Sequence, residues 1–155
     1  MNVTKSNVIA ALTDIMDQKM HLEGISLALY NMSCWPDTRK QFVEEKGGAL
    51  LVRLLADKDL THIQKQMLTS ISNIAASPAS HVALLKSNFA GKNFVQSLNQ
   101  PIQDSHARRK EPEFDAADFD ETSNKIAMIL MCLSTTEECC KQVSERSGGG
   151  VEEDE

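Results

Sequence analysis

ISLALYNMSCWPDTRKQFV, residues 25–43, can be laid without a gap on MLTSISNIAASPASHVALL, residues 67–85, at a shift of 42 residues. The overlay pairs Leu29 with Ile71, Asn31 with Asn73, Met32 with Ile74, Pro36 with Pro78 and Phe42 with Leu84, and upstream Val8 with Leu50 and Leu12 with Leu54. A third copy, IAMILMCLSTTEECCKQV, starts at Ile126, a shift of 101 residues from the first. It repeats Lys40-Gln41 as Lys141-Gln142 and Gly47-Gly48 as Gly148-Gly149. Self-similarity at a fixed period marks a repeat architecture and changes the reading of every residue inside it. The step from the second copy to the third is 59 residues, 17 more than the first step, so the third copy carries an insertion.

Within each copy the shared apolar columns fall at i, i+4 and i+7, which places them on one stripe of an α-helix. They are Ile25, Leu29 and Met32, then Met67, Ile71 and Ile74, then Ile126, Leu130 and Leu133. Pro36 and Pro78 follow that helix at once, and proline ends one helix while suiting the first position of the next. A shorter helix then carries Phe42 or Leu84 until Gly47-Gly48 stops it, and Ala49 to Ala56 resumes with Leu50, Leu51, Leu54 and Leu55 on a broad apolar face. The unit is a short helix, a turn, a second helix, a turn and a long helix. An all-α fold follows, with a repeat domain over 1–149 (units near 5–46, 47–88 and 89–147, a charged insertion at 104–121) and an acidic tail at 150–155.

Composition agrees. Of 155 residues 41% are apolar but only 5% aromatic, a helical rather than a sandwich-like diet. A net charge of −6 gives no general attraction to phosphate backbones or anionic membranes, so neither nucleic acid nor a membrane is an expected partner. The first residues do not read as a secretory signal, and no stretch approaches a membrane-spanning length. The expected location is the cytoplasm, with the nucleus as the alternative. Cys34, Cys132, Cys139 and Cys140 form no C-x-x-C pair, and His21, His62, His81 and His106 add no zinc spacing, so neither metal nor cofactor is expected.

A three-helix unit of this length, with Gly48-Ala49-Leu50-Leu51-Val52-Arg53-Leu54-Leu55 in its middle helix and Ser70-Ile71-Ser72-Asn73-Ile74-Ala75 in its last, resembles the armadillo repeat. Ala28-Leu29-Tyr30-Asn31-Met32-Ser33 is a further copy of that last motif. The resemblance covers Val8 to Gly149 and implies a right-handed superhelix of about three repeats whose long helices line a concave groove for an extended peptide or a partner helix. It implies groove positions at Leu27, Tyr30, Asn31 and Cys34, at Thr69, Ser72, Asn73 and Ala76, and at Met128, Met131 and Cys132. In peptide-binding members the motif asparagine bonds the ligand backbone; Asn31 and Asn73 stand there, with a bond to the adjoining unit as the alternative. Carriers of nuclear signals place tryptophan four residues before that asparagine. Leu27, Thr69 and Met128 occupy those positions, which argues against nuclear-signal binding.

The order Ile63 to Ala75, then Phe94 to Leu98, a spacer and Ile126 to Cys140 is also similar to the armadillo-like folding cofactors of translation elongation factor 2. The charged insertion reads as a solvated excursion, or as a docking loop anchored by Phe114 and Phe119. The leading functional expectation is a non-catalytic scaffold, adaptor or chaperone cofactor that holds a protein and takes no small-molecule substrate. The rivals are a section of a longer stack and a thiol enzyme using Cys139 or Cys140, against which Glu137-Glu138 would raise rather than lower a thiol pKa.

Overall fold

The computed structural model describes residues 8–57, 61–88 and 90–147, and among them there is helix and no strand. Helices run in the order α1 (Val8–Asp17), α2 (Leu22–Cys34), α3 (Pro36–Glu44), α4 (Gly47–Ala56) and α5 (Thr61–Ala75). A 3-10 turn at Pro78–Ser80 leads into α6 (His81–Leu85), followed by α7 (Phe94–Leu98), α8 (Gln100–Ala107), α9 (Ala116–Leu133) and α10 (Glu137–Ser147). The tail at 150–155 and the start of the first unit, 5–7, lie outside the described residues.

The breaks follow local chemistry. Trp35, extended at φ −110° and ψ 135°, ends α2, and Pro36 occupies the first turn of α3, where its missing N–H costs nothing. Lys46 takes the left-handed conformation at φ 61° to turn the chain from α3 into α4. Gly47 follows because nothing larger fits: a Cβ there would lie 2.5 Å from the Phe42 ring.

Cross-helix hydrogen bonds fix how the helices lie. Ser26 Oγ donates to Gln66 Oε1 at 2.7 Å, and Asn73 Nδ2 donates to Ser33 Oγ at 3.1 Å. Going from the first bond to the second advances seven residues on α2 and seven on α5, so these helices run parallel, side by side. Lys65 bonds Glu121 and Thr69 Oγ1 accepts from Lys125 Nζ, four residues on along each partner, so α5 and α9 are parallel too. The same reasoning joins α1 to α4: Ile9 N–H donates to Glu45 Oε2 just before α4, and Asp17 pairs with Arg53 at 2.5 Å, eight residues on in both. Long helices α2, α5 and α9 thus form one layer, and α1, α4 and the α7–α8 pair form a second, with α4 in contact with both α7 and α8.

Between the layers lies the core. Ile25, Leu29, Met67, Ile71, Ile74, Ile126 and Leu133 are buried, as are Leu50, Leu51, Leu54 and Leu55 of α4. Three positions depart from the sequence reading; on α2 Met32 is only partly buried and Ser33 beside it is buried. In α9 the buried stripe runs Ile126, Ile129 and Leu133, leaving Leu130 partly buried. In α10, Val143 is 47% exposed where Phe42 and Leu84 are buried, and Cys139 and Gln142 turn inward. Gln142 can be buried because its bonds are met across units: Nε2 donates to the Leu85 carbonyl at 2.5 Å and Oε1 accepts from Val95 N–H at 3.3 Å.

The 17 extra residues of the third copy are spread out rather than gathered at 104–121. α7 and α8 stand where the second copy has α4 alone, and α9 has 18 residues against 15 in α5. Residues 104–107 end α8, and 116–121 open α9 under an N-cap in which Asp115 accepts from Ala117 and Asp118 N–H.

Candidate functional site

Because α2, α5 and α9 are parallel neighbours that bury one stripe against the second layer, each turns another stripe outward. On α2 this row holds Leu27, Tyr30, Asn31 and Cys34, on α5 Thr69, Ser72, Asn73 and Ala76, and on α9 Met128, Met131 and Cys132. Leu27, Asn31, Cys34, Ala76, Met128 and Met131 are exposed, and Tyr30, Thr69, Ser72, Asn73 and Cys132 are half-buried. Leu27 is 51% exposed, Met128 58% and Met131 66%. Trp35, at the end of the α2 row, is 68% exposed and is a member that periodicity alone did not single out. Four of the large apolar side chains open to water stand on this layer, and Ile15, Met20, Val82 and Val143 are exposed elsewhere.

The two asparagines differ. Asn73 gives its side-chain amide to Ser33, in the adjoining unit, and its backbone carbonyl accepts from Arg39 Nη1 at 3.0 Å. Asn31 lies exposed in the α2 row. Cys132 stands in the third place and is half-buried.

A set of residues that sequence reasoning missed closes the far end of this face. Arg39, His81 and Cys140 share one column, at shifts of 42 and 101, and each reaches back to the last carbonyls of the long helix before it. Arg39 Nη2 donates to Cys34 O at 3.5 Å, His81 Nε2 to Ala75 O at 2.7 Å and Cys140 Sγ to Ser134 O at 3.7 Å. A carbonyl can only accept, so His81 carries a hydrogen on Nε2, and Nδ1 lies 3.4 Å from Thr136 Oγ1. Three unlike side chains do one job, satisfying carbonyls that have no partner inside their own helix. Residue identity gave no signal; the shared column did.

At the opposite end, where the three helices begin, charges cluster. Lys65 pairs with Asp118 and, at 3.2 Å, with Glu121, which also holds Lys125 at 3.2 Å. Hydrogen bonds donated to Asp118 and then Glu121 push the Lys65 pKa up, and those accepted from Lys65 and then Lys125 pull the Glu121 carboxyl down. Glu23 stands at the same end, 3.4 Å from His62.

Phe114 and Phe119, the docking-loop candidates, are half-buried and pack on one another with ring centroids 5.9 Å apart. Burial, and then the neighbouring Cys140, pushes the Cys139 thiol up, which disfavours the thiolate that nucleophilic chemistry needs. Among the described residues no group of three or more His, Cys, Asp or Glu could hold a metal ion, and no helix is long and apolar enough to cross a membrane. A cleft of about 410 Å3 opens between α3, α4 and α6, with Phe42, Ala49 and Leu84 along it and Lys46 and Lys86 at its edge; none of the outward-row residues lines it. Comparison with protein-family models, curated proteins and solved structures finds no match to this chain.

Proposed function

We propose that the chain is an armadillo-type stack that binds another protein on the outward face of α2, α5 and α9, as a scaffold or adaptor with no chemistry of its own. The observation that carries this reading is the common register of three parallel helices, which lines up Leu27, Met128, Met131 and Trp35 on one layer with no covering element among the described residues. Burying apolar area is the main driving force of association, at roughly 25 cal/mol per Å2, and exposed methionine adapts to differing shapes. The acidic balance of the chain makes a protein a better partner than nucleic acid. The narrower role of chaperone cofactor in translation-factor maturation, in the cytoplasm or nucleus, follows from the sequence resemblance.

The test is a comparison of cross-linked partners of the wild-type chain with those of a Leu27→Asp, Met128→Asp double variant. Both positions are exposed, so the variant is expected to keep its circular dichroism and thermal midpoint while losing at least about tenfold in capture of specific proteins. Recovery of the same proteins in the same amounts would dismiss the face. A second reading, one section of a longer stack, is favoured by Val143. Its counterparts Phe42 and Leu84 are buried, and a further unit laid over α10 would cover it in the same way.

A further inference from the structure

We infer that the occupant of the α2–α5–α9 face is one amphipathic helix of another protein, apolar along one side and carrying lysine or arginine at one end. This rests on the binding reading above and adds the visitor's shape and charge.

Shape comes first. The outward row of the central helix, α5, is made of small side chains, Thr69, Ser72, Asn73 and Ala76. The rows beside it stand taller, with Leu27 and Tyr30 on α2 and Met128 and Met131 on α9. Small residues between two larger rows make a trough along α5, with Lys125 Nζ reaching Thr69 Oγ1 at 3.2 Å on its α9 side. Packed helix axes lie about 8–10 Å apart, so the flanking helices are roughly 16–20 Å apart, and a helix with its side chains is about 10–12 Å across. A helix in that trough touches both walls at once, laying its apolar side on Leu27 and Met128. An extended strand, narrower than the trough, reaches the leucine or the methionines but not both together.

Charge then fixes which end is which. Where the three helices begin, Lys65 pairs with Asp118 and Glu121, Lys125 with Glu121 and Glu23 with His62, and Asp120 is exposed on α9, so carboxylates outnumber the two ammonium groups, both already engaged in ion pairs. At the other end the outward rows finish in Cys34, Ala76 and Met131, with Trp35 beyond, and Arg39, the ionised side chain placed there, gives Nη1 to the Asn73 carbonyl and Nη2 to the Cys34 carbonyl. A helix complementary along its length is therefore apolar over most of its contact and basic where it meets Glu121 and Glu23.

The experiment uses the full chain and synthetic, tryptophan-free peptides of about five helical turns. One has leucine at i, i+3, i+4 and i+7 and lysines in its last turn, the second is the same peptide broken by two central prolines, and the third carries glutamate in place of lysine. Trp35, the sole tryptophan, reports by its emission, and amide shifts map the contact. The lysine-ended helix is expected to bind, to shift Trp35 emission and to move the α5 row. Met128→Glu with Met131→Glu should weaken it at least about tenfold, and Glu121→Lys should weaken it and flatten its salt dependence. Equal binding by the proline-broken peptide overturns the helical occupant while leaving the face in place. Equal binding by the glutamate peptide overturns the charge assignment. Shifts confined to α1, α4 and α7, with the α5 row silent, overturn both this inference and the reading beneath it. No binding by any peptide at millimolar concentration overturns the inference.

Discussion

Replacing Ile71 by alanine is expected to lower the free energy of unfolding by about 2–5 kcal/mol, and the thermal midpoint by roughly 4–20 °C. Ile71 is wholly buried at the middle of α5, the one long helix with a neighbour on each side, so truncation opens a cavity that no single helix can close by shifting. Leu29→Ala, equally buried on α2, belongs in the same range. Asn31→Ala is the contrast: an exposed amide that should leave the midpoint within a degree or so. Asn73→Ala falls between, because it gives up the bond to Ser33, a loss of about 0.5–1.5 kcal/mol. Denaturant melts of the four variants order them; a midpoint for Ile71→Ala as high as that of Asn31→Ala would overturn the assignment of inner and outer faces.

A second large effect is expected where α3 meets α4. Phe42→Ala should cost about 3–5 kcal/mol, the usual range for a buried aromatic. Gly47→Ala should cost about 1–3 kcal/mol for the opposite reason, since its added methyl would sit 2.5 Å from a ring that is 1% exposed and has nowhere to go. The two changes compensate: with the ring gone, the methyl at residue 47 has space. The double variant should therefore be more stable than the sum of the single losses implies, by about 1 kcal/mol or more in a double-mutant cycle. Strict additivity would mean that the ring and the glycine do not touch.

The inner columns were legible in the sequence because burial is periodic and types repeat: Ile25, Met67 and Ile126 are all apolar, and all three are buried. The outward rows were legible by the same geometry, since a stripe one step from the buried one on each helix must face away. Three things were not legible. The column of Arg39, His81 and Cys140 escaped because hydrogen bonding to a carbonyl tolerates a guanidinium, an imidazole or a thiol, so no residue type repeats. The inward turn of Gln142 escaped because a glutamine is ordinarily left outside, and only the carbonyl of Leu85 and the N–H of Val95 make its burial affordable. The spread of the insertion escaped because dense charge at 108–121 resembles loop, whereas Asp115 caps α9 and six of those residues are its opening turns.

Running α2, α5 and α9 in one direction has an electrical consequence. Each peptide unit has a dipole along its helix axis, equivalent to about half a positive charge at the amide end and half a negative one at the carbonyl end. In a bundle of alternating helices these ends offset one another; here the three amide ends gather near Glu23 and Asp118 and the three carbonyl ends on the side of Trp35. A visiting helix is held best with its own polarity reversed, its amide end over Trp35 and its carbonyl end, where lysines are most at home, over the acids. A nitroxide on the visitor's first turn should then broaden the Trp35 indole resonance and spare the amide of Glu121.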